Sequence, residues 1–249
     1  MKRLTVPSTM LRTCLALVLA TSLPALADPA AEALAKKLKE TMPGLPLTSV
    51  TATPVAGVYE VVAGPDVVYM TGDGRYMFQG ALVDFEQRKN LTEERRTGIR
   101  VELLKQVKDE DTIIYAPQGA AKHTITVFTD PSCPYCRKLH NEVPELNKQG
   151  VKVRYVLYPR AGLDSPIGKS SIGIMCSKDR KAELDKSLGG QSVSLPACDR
   201  HPLAHMIDLG TQLGLEGTPF IVTEGGQVIP GYRPAAELVK VLERIKAGG

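Results

Sequence analysis

Phe128-Thr129-Asp130-Pro131-Ser132-Cys133-Pro134-Tyr135-Cys136-Arg137-Lys138-Leu139-His140 is the stretch around which the chain is organised. An apolar β-type run, Ile125 to Phe128, leads through a short polar turn into Cys-x-x-Cys at the start of a helical pattern. With Cys133 at the N-cap, Pro134 takes the first helical position, where its missing N–H costs nothing. The unpaired first-turn N–H groups and the helix dipole then favour a thiolate at Cys133. Thiols so placed titrate between roughly 3.5 and 7.5 instead of near ~8.5. Cys136 falls one turn deeper on the same face, within disulfide reach of its partner. The expectation is a nucleophilic cysteine with its own resolving thiol.

The compartment follows from the other end of the chain. Lys2, Arg3 and Arg12 precede an apolar core, Leu15 to Leu23, and Ala25-Leu26-Ala27 is an A-x-A cleavage pattern, so residues 1–27 read as a secretory signal. That core is shorter than the ~20 residues of a membrane-spanning helix, and no other stretch approaches this length. Cleavage removes three basic residues and no acid, lowering the formal net charge from +4 to +1. A nucleic-acid partner therefore has little support. Cleavage also removes Cys14 and leaves Cys133, Cys136, Cys176 and Cys198, an even set that suits two pairs in an oxidising compartment.

Residues 29–42 have helical composition, with Leu34, Leu38 and Met42 at four-residue spacing and Pro43-Gly44 as a stop. Short β-rich runs follow at Thr48–Thr53, Val58–Ala63, Val67–Thr71 and Tyr76–Asp84, with Asp73-Gly74 as a hairpin signal. Fewer than 60 residues bury only a thin core, which a second copy of the chain would reinforce. Asn90 to Lys108 reads as a charged helix whose single apolar stripe is Ile99, Leu103 and Val107, the pattern of a linker between two domains. Its Thr92-Glu93-Glu94-Arg95 start resembles a capping pattern, and Glu93 to Arg96 read as a solvated face.

From Ile113 the elements alternate. Strands at Ile113–Tyr115 and Thr124–Phe128 precede the helix from Pro134, then comes the strand Val151–Leu157. Helical patterns cover 166–188 and Pro202–Leu213. A hairpin, Phe220–Thr223 with Gln227–Ile229, and a final helix, Pro234–Lys246, close the chain. β-α-β followed by β-β-α, with a helical insertion between, is the thioredoxin order.

Several other residues are candidates for chemistry. Gly217-Thr218-Pro219-Phe220 opens a strand with a proline that cannot donate to a ladder. The Cys-x-x-Cys context points to a cis Thr218–Pro219 bond packed against Cys133, with the adjoining backbone free to pair with an extended substrate. Cys176 and Cys198 enclose a polar segment and read as a structural staple inside the helical insertion. They do not form a second knuckle, so zinc at Cys133 and Cys136 is disfavoured. His201 and His205 have metal-ligand spacing without the glutamate of H-E-x-x-H, and read as a solvated helix end. No metal or cofactor is expected. Asp130 and Arg137 flank the motif with opposite charges. His140 is placed to influence local electrostatics but lies one turn too far along to serve as a committed proton donor.

These residues together resemble the DsbC/DsbG family of periplasmic thiol-disulfide interchange proteins. The resemblance runs along the mature chain: Phe128-Thr129-Asp130, Cys133-Pro134-Tyr135-Cys136, Lys138-Leu139-His140, the Cys176 and Cys198 pair, Leu209-Gly210-x-Gln212-Leu213-Gly214, Gly217-Thr218-Pro219, and Val228-Ile229-Pro230-Gly231-Tyr232-x-Pro234. Gly217-Thr218-Pro219, the second cysteine pair and Pro230-Gly231-Tyr232 lie closer to its DsbC branch. One departure is the dipeptide Pro134-Tyr135, where enterobacterial DsbC has Gly-Tyr and DsbG has Pro-Tyr; the dipeptide alters redox poise.

The resemblance implies an α+β N-terminal dimerisation domain at 28–88, a linker helix at 89–110 and an α/β thioredoxin-like catalytic domain with a helical insertion at 111–249. It further implies a periplasmic V-shaped homodimer whose cleft receives misfolded or misoxidised exported proteins, kept reduced by a DsbD-like membrane reductase. The expected activity is disulfide isomerisation and reduction, with Cys133 and Cys136 catalytic, Pro134, Tyr135, Thr218 and Pro219 against the client, and Cys176–Cys198 structural. The alternatives are a DsbG-like reductant of oxidised single cysteines and a holdase chaperone with a secondary redox function.

Overall fold

The computed structural model describes residues 28–248; the expected signal, residues 1–27, lies outside the described residues. The first helix, α1 (Pro29–Thr41), begins where the Asp28 carboxylate accepts the Ala30 and Ala31 N–H groups at 2.9 and 3.4 Å, the partners that a helix start otherwise lacks. Its apolar stripe, Ala31, Leu34 and Leu38, is buried. An antiparallel sheet follows, β1 (Leu47–Ala52), β2 (Val58–Ala63), β3 (Asp66–Thr71) and β4 (Met77–Phe78), in sequential order. Alternation sends Val61 and Met70 to the face under Leu34 and Leu38, while Val62, Val67 and Tyr69 face the other way.

The run 76–84 is not one strand. Gly80, at φ +155°, turns the chain away, and β5 (Val83–Asp84) pairs instead with β6 (Lys89–Asn90) as a separate ribbon. The next helix, α2 (Leu91–Leu104), also starts differently from the capping pattern. Asn90 is the cap, accepting the Glu93 N–H at 3.0 Å. Thr92 is freed for a tertiary role: almost fully buried, its hydroxyl accepts the Leu82 N–H at 2.8 Å and shares a short hydrogen bond with the Tyr69 hydroxyl. Arg95, read as solvated, reaches across to Glu60 at 3.0 Å and Ser49 at 2.9 Å.

The remaining strands, β7 (Ile113–Tyr115), β8 (His123–Thr129), β9 (Val151–Leu157), β10 (Phe220–Thr223) and β11 (Val228–Pro230), form one sheet in the order β11-β10-β8-β9-β7. Only β8 and β9 run parallel, and the helix α3 (Pro134–Lys148) makes the crossover that a parallel pair needs. One face is covered by α3 with Met175 of α4 (Pro166–Cys176), Leu184 and Leu188 of α5 (Arg180–Leu188), and Leu238 and Leu242 of α7 (Ala235–Gly248). The other face packs against Met206 and Leu209 of α6 (Leu203–Gln212) and against Val107 beyond the end of α2.

The stripe of α2 is thus shared. Ile99 packs with Val62, Val67 and Tyr69, while Leu103 and Leu104 pack with Phe128, Val156 and Phe220. Gly226, in the β10–β11 turn at φ +79°, is required by this packing, because an added Cβ would lie 2.4 Å from the Thr97 carbonyl oxygen. The helical stretch 166–188 is two helices, since Asp179 accepts the Ala182 N–H at 3.0 Å and starts α5 afresh. A disulfide joins Cys176, at the end of α4, to Cys198, with their Cα atoms 5.7 Å apart.

Replacing Thr92 by valine keeps its shape and strands the buried Tyr69 hydroxyl and the half-buried Leu82 N–H. Thr92→Val is expected to destabilise the protein by about 2 kcal/mol, read as a lower urea midpoint.

Candidate active site

The site is built where β8 ends and α3 begins. Cys133 is the N-cap of α3, extended at φ −79° and ψ 122°, with Pro134 in the first turn. The connection is held by Asp130. Its carboxylate, almost fully buried, accepts the Ser132 N–H and hydroxyl at 2.7 and 2.6 Å, and the Arg160 N–H and Nε at 3.0 and 3.1 Å. Burial opposes its ionisation, but these hydrogen bonds outweigh burial and hold the carboxyl below its ordinary range. Asp130 is therefore a paired charge that clasps the turn to the segment after β9. Arg137, its expected opposite, points its Nε to the Pro131 carbonyl at 2.9 Å.

The two thiols are separate and buried. Cys133 Sγ lies 3.2 Å from the Thr218 carbonyl oxygen, and the Thr218–Pro219 bond is cis. Pro219 is buried, Thr218 half-buried, and Pro134 and Tyr135 are exposed, with Lys138 Nζ 5.4 Å above the Tyr135 ring. Cys136, fully buried, receives the Asp130 N–H at 3.4 Å. The hydroxyls of Thr129 and Thr218 have no hydrogen-bond partner of their own, and both face these sulfurs.

The environments drive the thiols apart. For Cys133 burial works against the charge, but the Thr218 side chain and first-turn N–H groups at Cys136 and Tyr135 prevail, and its pKa falls below the ordinary thiol value. Cys136 sits one turn further into the core, where burial pushes its thiol up to about 11. One sulfur is prepared to attack, and the other is held in reserve.

The turn thus brings together Cys133, Cys136, Thr218 and Pro219, with Pro134 and Tyr135 on its rim, while Cys176 and Cys198 are paired with each other elsewhere. Arg160 and the Thr129 hydroxyl were missed, because no local pattern in Tyr158-Pro159-Arg160 marks a residue that crosses to Asp130, and a threonine ending a strand is ordinary. Among the described residues no group of His, Cys, Asp or Glu is arranged to hold a metal ion.

Comparison with known sequences gives two family matches. Residues 25–93 match the disulfide bond isomerase protein N-terminal domain, and residues 109–246 match the thioredoxin-like domain. The chain is similar to the thiol:disulfide interchange protein DsbC of Dickeya dadantii, 39% identical over 206 residues that cover 82% of this chain and 84% of that one. It is 38% identical over 203 residues to DsbC of Escherichia coli K12, covering 80% and 83% of the two chains. DsbC of Haemophilus influenzae is 35% identical over 196 residues, covering 78% and 82%.

The opposed shifts set a labelling order. With iodoacetamide at about pH 7, Cys133 is expected to react and Cys136 to stay unmodified, and the Cys133 rate should level off below the ordinary ~8.5 of a thiol. Peptide mass mapping across a pH series checks both.

Proposed function

The chain belongs to the DsbC family of thiol:disulfide interchange proteins, and on that premise we propose that Cys133 is the attacking and Cys136 the resolving thiol of a periplasmic disulfide isomerase. The observation that carries the assignment is the pairing of a helix-capping thiol of lowered pKa with a buried thiol of raised pKa one turn behind it. A thiolate attacks a disulfide along the S–S axis and forms a mixed disulfide. The client thiol released in that step attacks elsewhere on the client and expels Cys133, leaving a rearranged client. Where rearrangement stalls, Cys136 attacks Cys133, releasing a reduced client and an oxidised enzyme. A DsbD-like membrane reductase then restores the dithiol.

The Thr218 carbonyl, 3.2 Å from Cys133 Sγ, supports a role for Thr218-Pro219 in holding an extended client beside the nucleophile. The exposed Pro134 and Tyr135 form the rim on which the client side chains rest. The Cys176–Cys198 disulfide serves as a structural staple for the helical insertion. No helix among the described residues is long and apolar enough to cross a membrane, and residues 1–27 are proposed as a cleaved export signal that delivers the chain to the periplasm of a Gram-negative cell.

A homodimer through residues 28–88, with 89–110 as linker and 111–249 as the catalytic domain, completes the proposal. Tyr76, Met77 and Phe78 on and beside the edge strand β4, with Phe85, leave large apolar side chains exposed in the N-terminal unit. An exposed edge of this kind is a template for pairing with a second chain.

Residues 28–249 are expected to have a dimeric solution mass and to restore activity to a scrambled multi-disulfide substrate. Cys133→Ser should abolish that activity, whereas Cys136→Ser should accumulate mixed disulfides visible on a non-reducing gel. Reshuffling by Cys133→Ser would overturn the assignment.

A further inference from the structure

A groove of about 470 Å³ opens beside the nucleophile, and the interchange steps above make no use of it. Pro131 and Ser132, the two residues before Cys133, form one end, and Arg137 of α3 stands next to them. The start of α4, with Lys169, and the stretch from Gly190 to Leu195 beyond α5 line the rest. This volume is ordinary for a site that receives part of a ligand.

The wall from Ser192 to Leu195 is fixed without regular secondary structure. Among the described residues it makes no backbone–backbone hydrogen bond. It nevertheless lies tight on α4, since a Cβ added at Gly173 would come within 2.8 Å of the Leu195 Cβ. Just beyond it, Cys198 is bonded to Cys176 at the end of the same helix. The disulfide thus pins this wall to the helix that supplies Lys169, and the groove keeps its shape.

Its charge is one-sided. Arg137 and Lys169 line the groove, and no Asp or Glu does. Both cations are exposed, and neither makes an ion pair among the described residues. The carboxylates of the adjoining turn and of α5 are engaged elsewhere: Asp130 with Arg160, Glu183 with Lys186 and Asp185 with His140. Arg137 is also held in place. Its Nε donates to the Pro131 carbonyl at 2.9 Å, and a Cβ added at Gly190, on the opposite wall, would lie 3.6 Å from its Nη1. Its two Nη groups have no protein acceptor, and a guanidinium fixed in this way offers them to a carboxylate.

We propose that the groove seats an acidic side chain of the client beside the cysteine under attack, with Arg137 and Lys169 selecting it. The proposal rests on Cys133 being the attacking thiol. Disulfides flanked by Asp or Glu are then engaged ahead of those flanked by Lys or Arg. Charges at the edge of a binding surface act mainly on association, and salt screens them.

The test uses short peptides that carry one cysteine as a mixed disulfide with nitrothiobenzoate. They differ only in having glutamate, glutamine or lysine at the residues flanking the cysteine. The Cys133 thiolate bonds to the peptide sulfur, the peptide–aryl disulfide breaks, and nitrothiobenzoate departs with the electron pair as a coloured thiolate, the better leaving group. Rates for reduced residues 28–249 are read by stopped flow at low ionic strength. Each is divided by the rate of the same peptide with dithiothreitol, which removes the effect of the flanking charges on the disulfide itself. The glutamate peptide should react roughly fivefold faster than the glutamine peptide, and the lysine peptide more slowly than either. In Lys169→Glu the order of the glutamate and glutamine peptides should invert, and in the unsubstituted protein about 1 M salt should bring their ratio to about one. Lys240→Glu makes the same charge change at an exposed position on α7 and should leave the ratio as it was. Equal rates for the three peptides, a ratio unmoved by Lys169→Glu, or an equal loss in Lys240→Glu each overturn the groove as the selecting site. Failure of every peptide to form a mixed disulfide with Cys133 overturns the interchange assignment instead.

Discussion

Two sulfurs three positions apart at the start of α3 occupy opposite environments, because a helix N-terminus seated on a sheet has one end open to donors and the next turn closed in apolar packing. Cys133 caps the helix, where unpaired N–H groups converge and a negative charge is welcome. Cys136, one turn on, has no exposed surface and packs among residues such as Leu139, Val143 and Tyr155. Exchanging the two environments would exchange the acidities of the two thiols. The sheet, the crossover and the covering helices all serve to keep that second turn dry.

The turn that presents Cys133 is held by charge as well as by packing. Asp130 brings a carboxylate into the interior, which is tolerated only because Ser132 and Arg160 satisfy it from both sides. Burial opposes the charge on the Cys133 thiol, and the Thr218 side chain, the first-turn N–H groups and the Cys136 side chain together lower its pKa. From the other side, Thr218-Pro219 forms a wall within hydrogen-bonding distance of Cys133. Cys133 thus sits beside the ends of β8 and β10, hydrogen-bonded neighbours inside the same sheet.

The N-terminal unit solves a different problem. A short helix on a four-stranded meander buries few large side chains, and Thr92, Arg95 and Ile99 of α2 supplement that core from outside. Farther along the same helix, Leu103 and Leu104 join the second hydrophobic cluster of the thioredoxin-like domain. One helix of mostly polar surface therefore contributes to two cores with a single stripe. Its Glu93 to Arg96 segment looked solvated because local sequence carries no sign of a partner such as Glu60, thirty-five positions before Arg95.

Much of the architecture was legible in order of appearance: the strand-turn-helix at Cys133, the β-α-β crossover, the β10–β11 hairpin and the stop after α1 all depend on neighbours in sequence, through capping, φ preferences and periodicity. Where reading failed, distance along the chain was the reason. The run at 76–84 split because its second half found β6 rather than β3, and the capping pattern at Thr92 gave way because Tyr69 and Leu82 claimed that hydroxyl. His140 read as an electrostatic neighbour of the motif and not as a committed proton donor, and counting residues along α3 could not show that Asp185 and Tyr155 reach its ring from two other elements. The sequence by itself determined the thiol pair, its helix cap and the layered α/β framework, since these follow from local stereochemistry. Only the tertiary structure decided how deeply each thiol is buried, which charge Asp130 meets and which side chains share a core with Cys136, because desolvation and pairing depend on groups that folding alone brings together.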